Sequence, residues 1–277
     1  MSELVPQTSR GRDGLAALLA DPRRSLMAFD YDGTLSPIVD DPATAAPQPG
    51  IVAALADVAR AVGQVAIITG RPAATAVSLG GLDQVPGLDR LVVLGQYGLE
   101  RWDASSGQLH TVAPSPGLEV VRREVAGLIA SAGVPDAVLE DKGLALAVHV
   151  RRSDAPEAAY EKLEAPLLAL AERAGLAAER GRLVVELRPR GMDKGKALLG
   201  LAAEVDAASL VFTGDDLGDL AAFDAVDGWR DRGGTGLLVC SGSVEVAELA
   251  ARADLVVDGP RGVLHMVQSL VALLTSD

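Results

Sequence analysis

The segment Met27–Ala45, MAFDYDGTLSPIVDDPATA, decides the fold prediction because an apolar run ends abruptly in acidic residues. Side chains alternate between the two faces of a strand, so Asp30 and Asp32 are expected on one side and Tyr31 on the other. Two carboxylates this close repel each other unless a cation lies between them or one of them is protonated. Asp32 and Gly33 could equally form a simple turn, so the acidic pair by itself leaves both interpretations open.

Short apolar runs recur along the chain, and each ends in glycine, aspartate or another turn residue. They read QVAIITG, RLVVLG, SLVFTGDD, TGLLVC and ADLVVDG. Such runs are typical of parallel strands that are buried on both faces. Segments with helical spacing lie between them, at 50–62, 194–205 and 244–251. The alternation predicts an α/β fold with a doubly wound, Rossmann-like parallel sheet, whose active site lies at the carboxyl ends of the strands.

The middle of the chain has a different pattern. From about residue 110 to residue 188, the order is strand, helix, two strands, helix and two strands, beginning with LHTVAP and ending with LVVELRP. We therefore predict a smaller α+β domain at 110–188, inserted into a core domain formed by residues 1–109 and 189–277.

The composition limits the possible partners. Hydrophobic residues make up 49% of the 277 residues, which is enough to bury a sizeable core. The chain carries 25 basic and 38 acidic residues, a formal charge of -13. This charge repels the backbone of nucleic acids and the surface of anionic membranes, so neither is expected as a partner. An anionic substrate would need a metal ion or a lysine to hold it.

Further features favour a cytoplasmic protein. The single cysteine, Cys240, excludes an internal disulfide and is expected to be a small buried hydrophobe. No stretch approaches the roughly 20 apolar residues of a membrane span. The amino terminus, MSELVPQTSRGRDG, lacks the apolar centre of a signal peptide.

A second acidic group follows the run SLVFTG, where Asp215, Asp216 and Asp219 stand close together. Two acidic strand ends in one sheet predict a site for a hard cation. Oxygen ligands without a neighbouring His or Cys favour Mg²⁺, which also accepts phosphate oxygens. Asp215 or Asp216 could instead cap the helix that begins near Leu217, while the other binds the metal.

Two groups between the acidic strand ends suit an anion. IITGR ends a strand at Thr69, whose hydroxyl and backbone N–H, with the N–H of Gly70, could bind a phosphate. The segment RPRGMDKGKALL places Lys194 at the start of a helix, where the ammonium and the positive helix end both favour an anion. A surface lysine is the commoner outcome, but Lys194 lies between the two acidic strand ends in the chain.

Taken in order, DYDGT, TGR, the lysine of DKG and GDDLGD resemble the four motifs of the haloacid dehalogenase superfamily of phosphatases. The inserted domain resembles the large α/β cap, type C2, of one subgroup. Four longer segments extend the resemblance to one family of this subgroup. They read FDYDGTLSPIVDDPATA, LEDKGLALAVHVR, VVELRPRGMDKGKAL and VVDGPRGVLHMV. Across nearly the whole chain, the sequence resembles the trehalose-6-phosphate phosphatase family.

The resemblance implies a role for each motif. Asp30 would be the nucleophile that forms an aspartyl-phosphate, and Asp32 would be the general acid and then the general base. The side chain of Asp32 would stay outside the metal's direct reach, so its backbone carbonyl is the expected metal ligand. Lys194 and Mg²⁺ would neutralise the phosphate. Asp215 would be a further metal ligand, with Asp219 behind it. Thr69 and Gly70 would bind the phosphate.

Sugar recognition is expected in the cap. Glu140, Lys142 and Glu186, with Arg151 behind them, match the family's sugar-contacting positions, and such groups suit a polyhydroxyl sugar. By themselves, Glu140 and Lys142 are more typical of an exposed hairpin with ordinary charges, and the resemblance reverses this interpretation. The chain departs from the family at Tyr97, where histidine is frequent, at Leu220, where a second acid is usual, and at Thr69, where serine is frequent.

The resemblance thus implies a Mg²⁺-dependent phosphoric monoester hydrolase that converts trehalose 6-phosphate into trehalose and phosphate. One alternative is a capped phosphatase for another sugar phosphate, such as sucrose 6-phosphate. Another is a non-catalytic, sugar-phosphate-binding regulatory member of the family. A trehalose-phosphate synthase is a possible protein partner in either case.

Overall fold

A computed structural model describes residues 4–39, 41–181, 183–242 and 247–275. The chain divides into two compact units. The first consists of Met1–Thr111 and Asp193–Asp277, and the second is Val112–Met192. The sequence placed the corresponding junctions after residues 109 and 188.

The strands and helices are numbered in chain order. The strands are β1 (Ser25–Phe29), β2 (Gln64–Ile68), β3 (Leu91–Gly95), β4 (Glu100–Asp103), β5 (Gln108–Thr111), β6 (Val138–Asp141), β7 (Leu146–His149), β8 (Ala177–Gly181), β9 (Val184–Arg188), β10 (Ser209–Gly214), β11 (Thr235–Ser241) and β12 (Leu255–Val257). The helices are α1 (Ser9–Ala20), α2 (Ile51–Ala61), α3 (Ala73–Gly80), α4 (Pro116–Ser131), α5 (Pro156–Arg173), α6 (Lys194–Glu204), α7 (Leu220–Asp231), α8 (Ala247–Arg252) and α9 (Gly259–Leu274).

The first unit contains a sheet in the order β12-β11-β10-β1-β2-β3-β4-β5. The strands from β12 to β3 pair in parallel, as the apolar runs predicted. β4 and β5 then extend the sheet as an antiparallel hairpin. This sheet, with helices packed against it, confirms the predicted doubly wound α/β class.

The hairpin corrects one detail of the predicted insertion. The sequence assigned LHTVAP to the first strand of the inserted domain, whereas β5 pairs with β4 at the edge of the main sheet. All four residues of β5 are exposed, so no apolar face in the sequence indicates which sheet the strand joins.

Helices cover both faces of the main sheet, and β1 shows why. Met27 and Phe29 belong to an apolar cluster that also includes residues of α1, α2 and α9. Leu26 and Ala28 belong to a second cluster with residues of α6 and α7. A strand buried between two helical layers must be apolar at every position, which is why β1 shows no alternation of apolar and polar residues.

Two of the predicted helices, at 50–62 and 194–205, are α2 and α6, each shorter than predicted by one or two terminal residues. The third predicted helix, 244–251, corresponds to α8, but residues 244–246 lie outside the described residues. In the described part of the chain, no helix is both long enough and apolar enough to cross a membrane.

The second unit contains an antiparallel sheet in the order β6-β7-β9-β8. Leu146 and Val148 on β7, with Val185 and Leu187 on β9, pack in a cluster with residues of α4 and α5. Side chains that alternate with these four must lie on the opposite face of the sheet. The unit therefore has its own hydrophobic core and one sheet face turned away from its helices.

Candidate active site

The carboxyl ends of two neighbouring strands bring the acidic groups together. β1 and β10 pair in parallel, and the backbone N–H of Asp30 extends this pairing by donating to the carbonyl oxygen of Thr213 at 2.9 Å. Asp30 therefore follows β1 at the same sheet edge where Asp215 follows β10. One carboxylate oxygen from each of Asp30, Asp215 and Asp219 lies within 4.8 Å of the other two.

Asp219 reaches this cluster through a tight turn. The short 3-10 helix Leu217–Asp219 forms a capping box in which Oδ2 of Asp219 accepts from the backbone N–H of Asp215 at 2.8 Å and of Asp216 at 3.2 Å. Gly214 makes room for it, because a Cβ at that position would collide with the Asp219 carboxylate. Of Asp215 and Asp216, the two predicted candidates for a helix cap, Asp216 is the one that caps this turn.

Lys194 supplies the positive charge of the site. Its Nζ donates to Oδ1 of Asp30 at 2.6 Å and to Oδ1 of Asp219 at 2.7 Å, and only 6% of its side chain is exposed. Asp193 caps α6 by accepting from the backbone N–H of Lys196 at 2.8 Å, which fixes the helix start that carries Lys194. Lys194 is therefore buried inside the acidic cluster and is not a surface lysine.

If all three carboxylates of the cluster were ionised, they would carry more negative charge than Lys194 balances. Burial, together with Asp30, raises the pKa of Asp215 to about 10. Burial likewise raises the pKa of Asp30 and of Asp219, although Lys194 opposes both shifts. Burial lowers the pKa of the Lys194 ammonium, but Asp219 and Asp30 outweigh this effect, so its pKa is raised and it stays charged. Three buried carboxylates against one ammonium leave an excess that a divalent cation would balance.

The ligand atoms also fit a hard cation. Oδ1 of Asp215 is buried and has no hydrogen-bond partner. Buried carboxylate oxygens are normally hydrogen-bonded or bound to a metal ion, so an oxygen without a protein donor is a candidate metal ligand. The acidic cluster therefore suits a metal ion that prefers oxygen ligands.

Gly33 lets the first motif, DYDGT, approach the fourth motif, GDDLGD. Its φ of +74° lies in the left-handed region, and a Cβ there would collide with the carboxylate of Asp215. The hydroxyl of Ser241 at the end of β11 donates to the carbonyl oxygen of Gly33 at 2.7 Å. The glycine of DYDGT is thus required both for the turn and for the close packing of Asp215.

Asp32 lies in different surroundings from Asp30. Its two carboxylate oxygens accept from Arg71, with Nε–Oδ2 at 2.6 Å and Nη2–Oδ1 at 2.7 Å. Its side chain is 41% exposed, whereas that of Asp30 is 6% exposed. The side chain of Asp32 is not in the carboxylate cluster, and a metal contact through its backbone carbonyl stays a prediction. Arg71 is the last residue of TGR, but its residue type alone did not predict a place in the site.

The predicted phosphate site at Thr69 and Gly70 needs one correction. The backbone N–H of Thr69 donates to the carbonyl oxygen of Leu94 at 3.0 Å, because the pairing of β2 with β3 continues one residue further. That N–H is therefore engaged within the sheet, and the hydroxyl of Thr69 is left as its candidate phosphate group. The hydroxyl accepts from the backbone N–H of Arg71 at 3.1 Å. Tyr97 lies so close to Gly70 that a Cβ at position 70 would collide with its ring and hydroxyl.

The predicted sugar-binding residues lie in the second unit. Cross-strand pairing places Glu140, Ala147 and Glu186 in one row on the sheet face opposite α4 and α5. Glu186 forms an ion pair with Lys142, and its Oε1 is buried without a hydrogen-bond partner. The unit therefore gathers two glutamates and a lysine on the sheet face that its own helices leave uncovered.

The other residues near this row add detail. Nε2 of His149 lies 2.8 Å from Oε2 of Glu140. His149 is therefore a neighbour of Glu140 that was not predicted from the sequence. Arg151 is an exposed turn residue that follows β7. The signal for His149 was its position two residues after Ala147, on the same face of the strand.

The fold of the whole chain has a known class. The structure is similar to that of a haloacid dehalogenase-like hydrolase from Bacteroides thetaiotaomicron, with a TM-score of 0.64 at 14% identity, over 88% of this chain and 98% of the other. It is also similar to the C-terminal domain of trehalose-6-phosphate phosphatase from C. albicans, with a TM-score of 0.76 at 23% identity, over 98% and 99% of the two chains. The fold is therefore that of the haloacid dehalogenase-like hydrolases.

The sequence comparisons identify a family within this class. The profile of the family described as Trehalose-phosphatase matches residues 28–255. The trehalose-phosphate phosphatase of Mycobacterium marinum is 33% identical over 276 residues, which cover 95% of this chain and 67% of that protein. The chain belongs to the trehalose-phosphatase family.

Proposed function

We propose that the protein is a Mg²⁺-dependent phosphatase that hydrolyses trehalose 6-phosphate to trehalose and inorganic phosphate. The observation that supports this most directly is the buried cluster of Asp30, Asp215 and Asp219 around Lys194, at the carboxyl ends of β1 and β10, in a chain of the trehalose-phosphatase family. Asp30 and Asp215 would hold the metal, with Asp219 behind them and the backbone carbonyl of Asp32 as a further ligand. When bound, Mg²⁺ neutralises negative charge on the phosphate oxygens.

In the proposed first step, a carboxylate oxygen of Asp30 attacks phosphorus on the side opposite the sugar oxygen. The bond between phosphorus and the sugar oxygen breaks, and its electron pair stays on that oxygen. The sugar oxygen takes a proton from the carboxyl group of Asp32, so trehalose leaves and the phosphoryl group remains on Asp30. Lys194 and the hydroxyl of Thr69, next to Gly70, hold the phosphate oxygens during the transfer.

In the proposed second step, a water oxygen attacks the same phosphorus. Its proton passes to the carboxylate of Asp32, which now acts as the base. The bond between phosphorus and Asp30 breaks, and its electron pair returns to the Asp30 oxygen. Phosphate is released, Asp30 is regenerated, and Asp32 carries the proton that the next first step requires.

The second unit is proposed to be the cap that determines which sugar is accepted. Glu140, Lys142 and Glu186 offer donors and acceptors on one sheet face, and Arg151 adds a further donor nearby in the chain. A cap of this kind would bind the hydroxyl groups of the disaccharide and exclude water from the phosphoryl transfer.

Location and partner complete the proposal. We propose a cytoplasmic location, because a sugar phosphate that is made in the cell is charged and stays there unless it is transported. A trehalose-phosphate synthase is the proposed protein partner, because it supplies the substrate.

Asp30→Asn tests the proposal. The variant keeps the size of the side chain but removes the nucleophile, so turnover of trehalose 6-phosphate should fall by about a thousandfold or more. Thermal unfolding should show that the fold is retained. Asp57→Asn is the matched control, because Asp57 is an exposed helix residue paired with Arg60, and its turnover should equal that of the wild type. A non-catalytic regulatory protein would bind the sugar phosphate and release no phosphate, in the wild type and in both variants.

A further inference from the structure

Arg71 is held unusually firmly for a side chain at a sheet edge. Besides its two bonds to Asp32, its Nη1 donates to the carbonyl oxygen of Pro42 at 2.8 Å, and its guanidinium carbon lies 5.5 Å from the centre of the Tyr31 ring. Its backbone is fixed as well, since its carbonyl oxygen accepts from the N–H of Gln96 at 2.9 Å. The side chain is only 13% exposed. Arg71 is thus anchored independently of the carboxylate that it binds.

The two acids of DYDGT therefore have separate cationic partners. Lys194 binds Asp30 inside the cluster, and Arg71 binds Asp32 at its edge. A guanidinium is a planar fork that grips both oxygens of a carboxylate and fixes its orientation, which a single ammonium cannot do. Rotation of the Asp32 side chain would break two charge-assisted hydrogen bonds.

We propose that Arg71 is a positioning residue that orients the carboxyl group of Asp32 toward the sugar oxygen of the substrate. This inference rests on the proposed function, because it assigns Asp32 the proton transfers described above. To donate a proton, one oxygen of Asp32 must give up its hydrogen bond from Arg71 and contact the sugar oxygen of the substrate instead. The contacts of Arg71 with Pro42 and Tyr31 hold the guanidinium in place while one N–H is released, so the other oxygen stays bound and the carboxyl group keeps its direction.

A positioning role for Arg71 predicts an effect on the release of trehalose that a purely structural role would not produce. Trehalose departs as an alkoxide-like group, so its release depends on a proton from Asp32. The leaving group of p-nitrophenyl phosphate is a weak base and departs without that proton. Misorientation of Asp32 should therefore slow the release of trehalose and leave the release of nitrophenolate nearly unchanged.

The experiment compares the wild type with Arg71→Gln and Arg71→Lys in single turnovers with excess enzyme and Mg²⁺. Both leaving groups are released in the first step, so their rates report that step alone. Both variants should release trehalose from trehalose 6-phosphate about a hundredfold more slowly, which is the usual effect of a misplaced catalytic group. Nitrophenolate release should change little. Arg24→Gln is the matched control, because Arg24 forms an exposed pair with Asp206, and both rates should match the wild type.

A double-variant cycle gives the second readout. In the Asp32→Asn background, Arg71→Gln should cause no further loss of trehalose release, because the group that Arg71 orients is already absent. Equal slowing of both substrates, a further loss in the Asp32→Asn background, or no change in either rate would overturn the role of Arg71. Failure of the wild type to release trehalose would overturn the proposed function and this inference together.

Discussion

At the scale of single residues, Asp30 and Asp32 are two acids of one motif whose different surroundings suit the nucleophile and the acid–base roles proposed for them. Asp30 is buried beside Lys194 and two further carboxylates, whereas Asp32 is partly exposed and held by Arg71. A nucleophile benefits from neighbouring cations that offset its repulsion by the phosphate. An acid and base must instead exchange protons with water, so partial exposure suits it.

The raised pKa of Asp215 leads to a prediction about pH. In the cation-free protein, Asp215 loses its proton near pH 10 when folded, against an ordinary value of 3.8 in the unfolded chain. The folded state thus binds a proton that the unfolded state releases, and stability falls as the pH rises between these values. In Asp215→Asn, measured in EDTA, the free energy of unfolding should decline less steeply over this range and exceed that of the wild type at pH 8.

Addition of Mg²⁺ should reverse this ranking. The wild type should gain about 2.7 kcal/mol when free Mg²⁺ is about a hundred times its Kd, while Asp215→Asn should gain much less. Chemical denaturation with and without Mg²⁺ measures both effects. A wild type that does not respond to Mg²⁺ would contradict the assignment of the acidic cluster as a metal site. A variant less stable than the wild type in EDTA at pH 8 would contradict the raised pKa of Asp215.

At the scale of secondary-structure elements, the start of α6 determines where Lys194 lies. Asp193→Ala removes the side-chain bond to the backbone N–H of Lys196, so the helix start should fray. We expect a loss of about 1 kcal/mol in the free energy of unfolding. Turnover of trehalose 6-phosphate should fall as well, because Lys194 is the next residue.

Asp193→Ser provides the control for this prediction, since a serine hydroxyl can accept the same hydrogen bond. Chemical denaturation and steady-state kinetics should show that the serine variant recovers most of the stability and turnover lost in the alanine variant. If serine and alanine are equally damaging, the hydrogen bond from the backbone of Lys196 to residue 193 does not position Lys194.

Elements differ in how well the sequence predicts them. β1, β2, β3, β10 and β11 were predictable because strands between two helical layers must be apolar throughout. β5 was assigned to the wrong sheet because all of its side chains are exposed, so no pattern of apolar residues indicates which strand it pairs with. The contact between Asp32 and Arg71 joins residues 39 positions apart, and neither residue type identifies its partner.

At the scale of the whole molecule, two units with separate cores divide the proposed work. The first unit contains the acidic cluster and Lys194, and the second contains the row of Glu140 and Glu186. The order of motifs along the chain predicted the acidic cluster, because parallel strands place their carboxyl ends at one edge. Individual partners within each unit depend on side-chain packing, which motif order does not specify.

The net charge of -13 gives Lys194 added importance. An acidic protein repels a sugar phosphate at long range, so binding depends on local cations. In the proposed site, these are Lys194 and Mg²⁺. Substrate specificity must then come from the sugar, since every phosphate monoester offers the same charged group to the site.

The most direct test of the central claim is the release of inorganic phosphate from a panel of sugar phosphates by the wild-type protein with Mg²⁺. Trehalose 6-phosphate, sucrose 6-phosphate and glucose 6-phosphate present the same phosphate on different sugars. We expect kcat/KM for trehalose 6-phosphate to exceed the others by about a hundredfold, because missing hydroxyl partners leave polar groups of the proposed cap unpaired. Comparable values for all three sugars, or no phosphate from trehalose 6-phosphate, would contradict it.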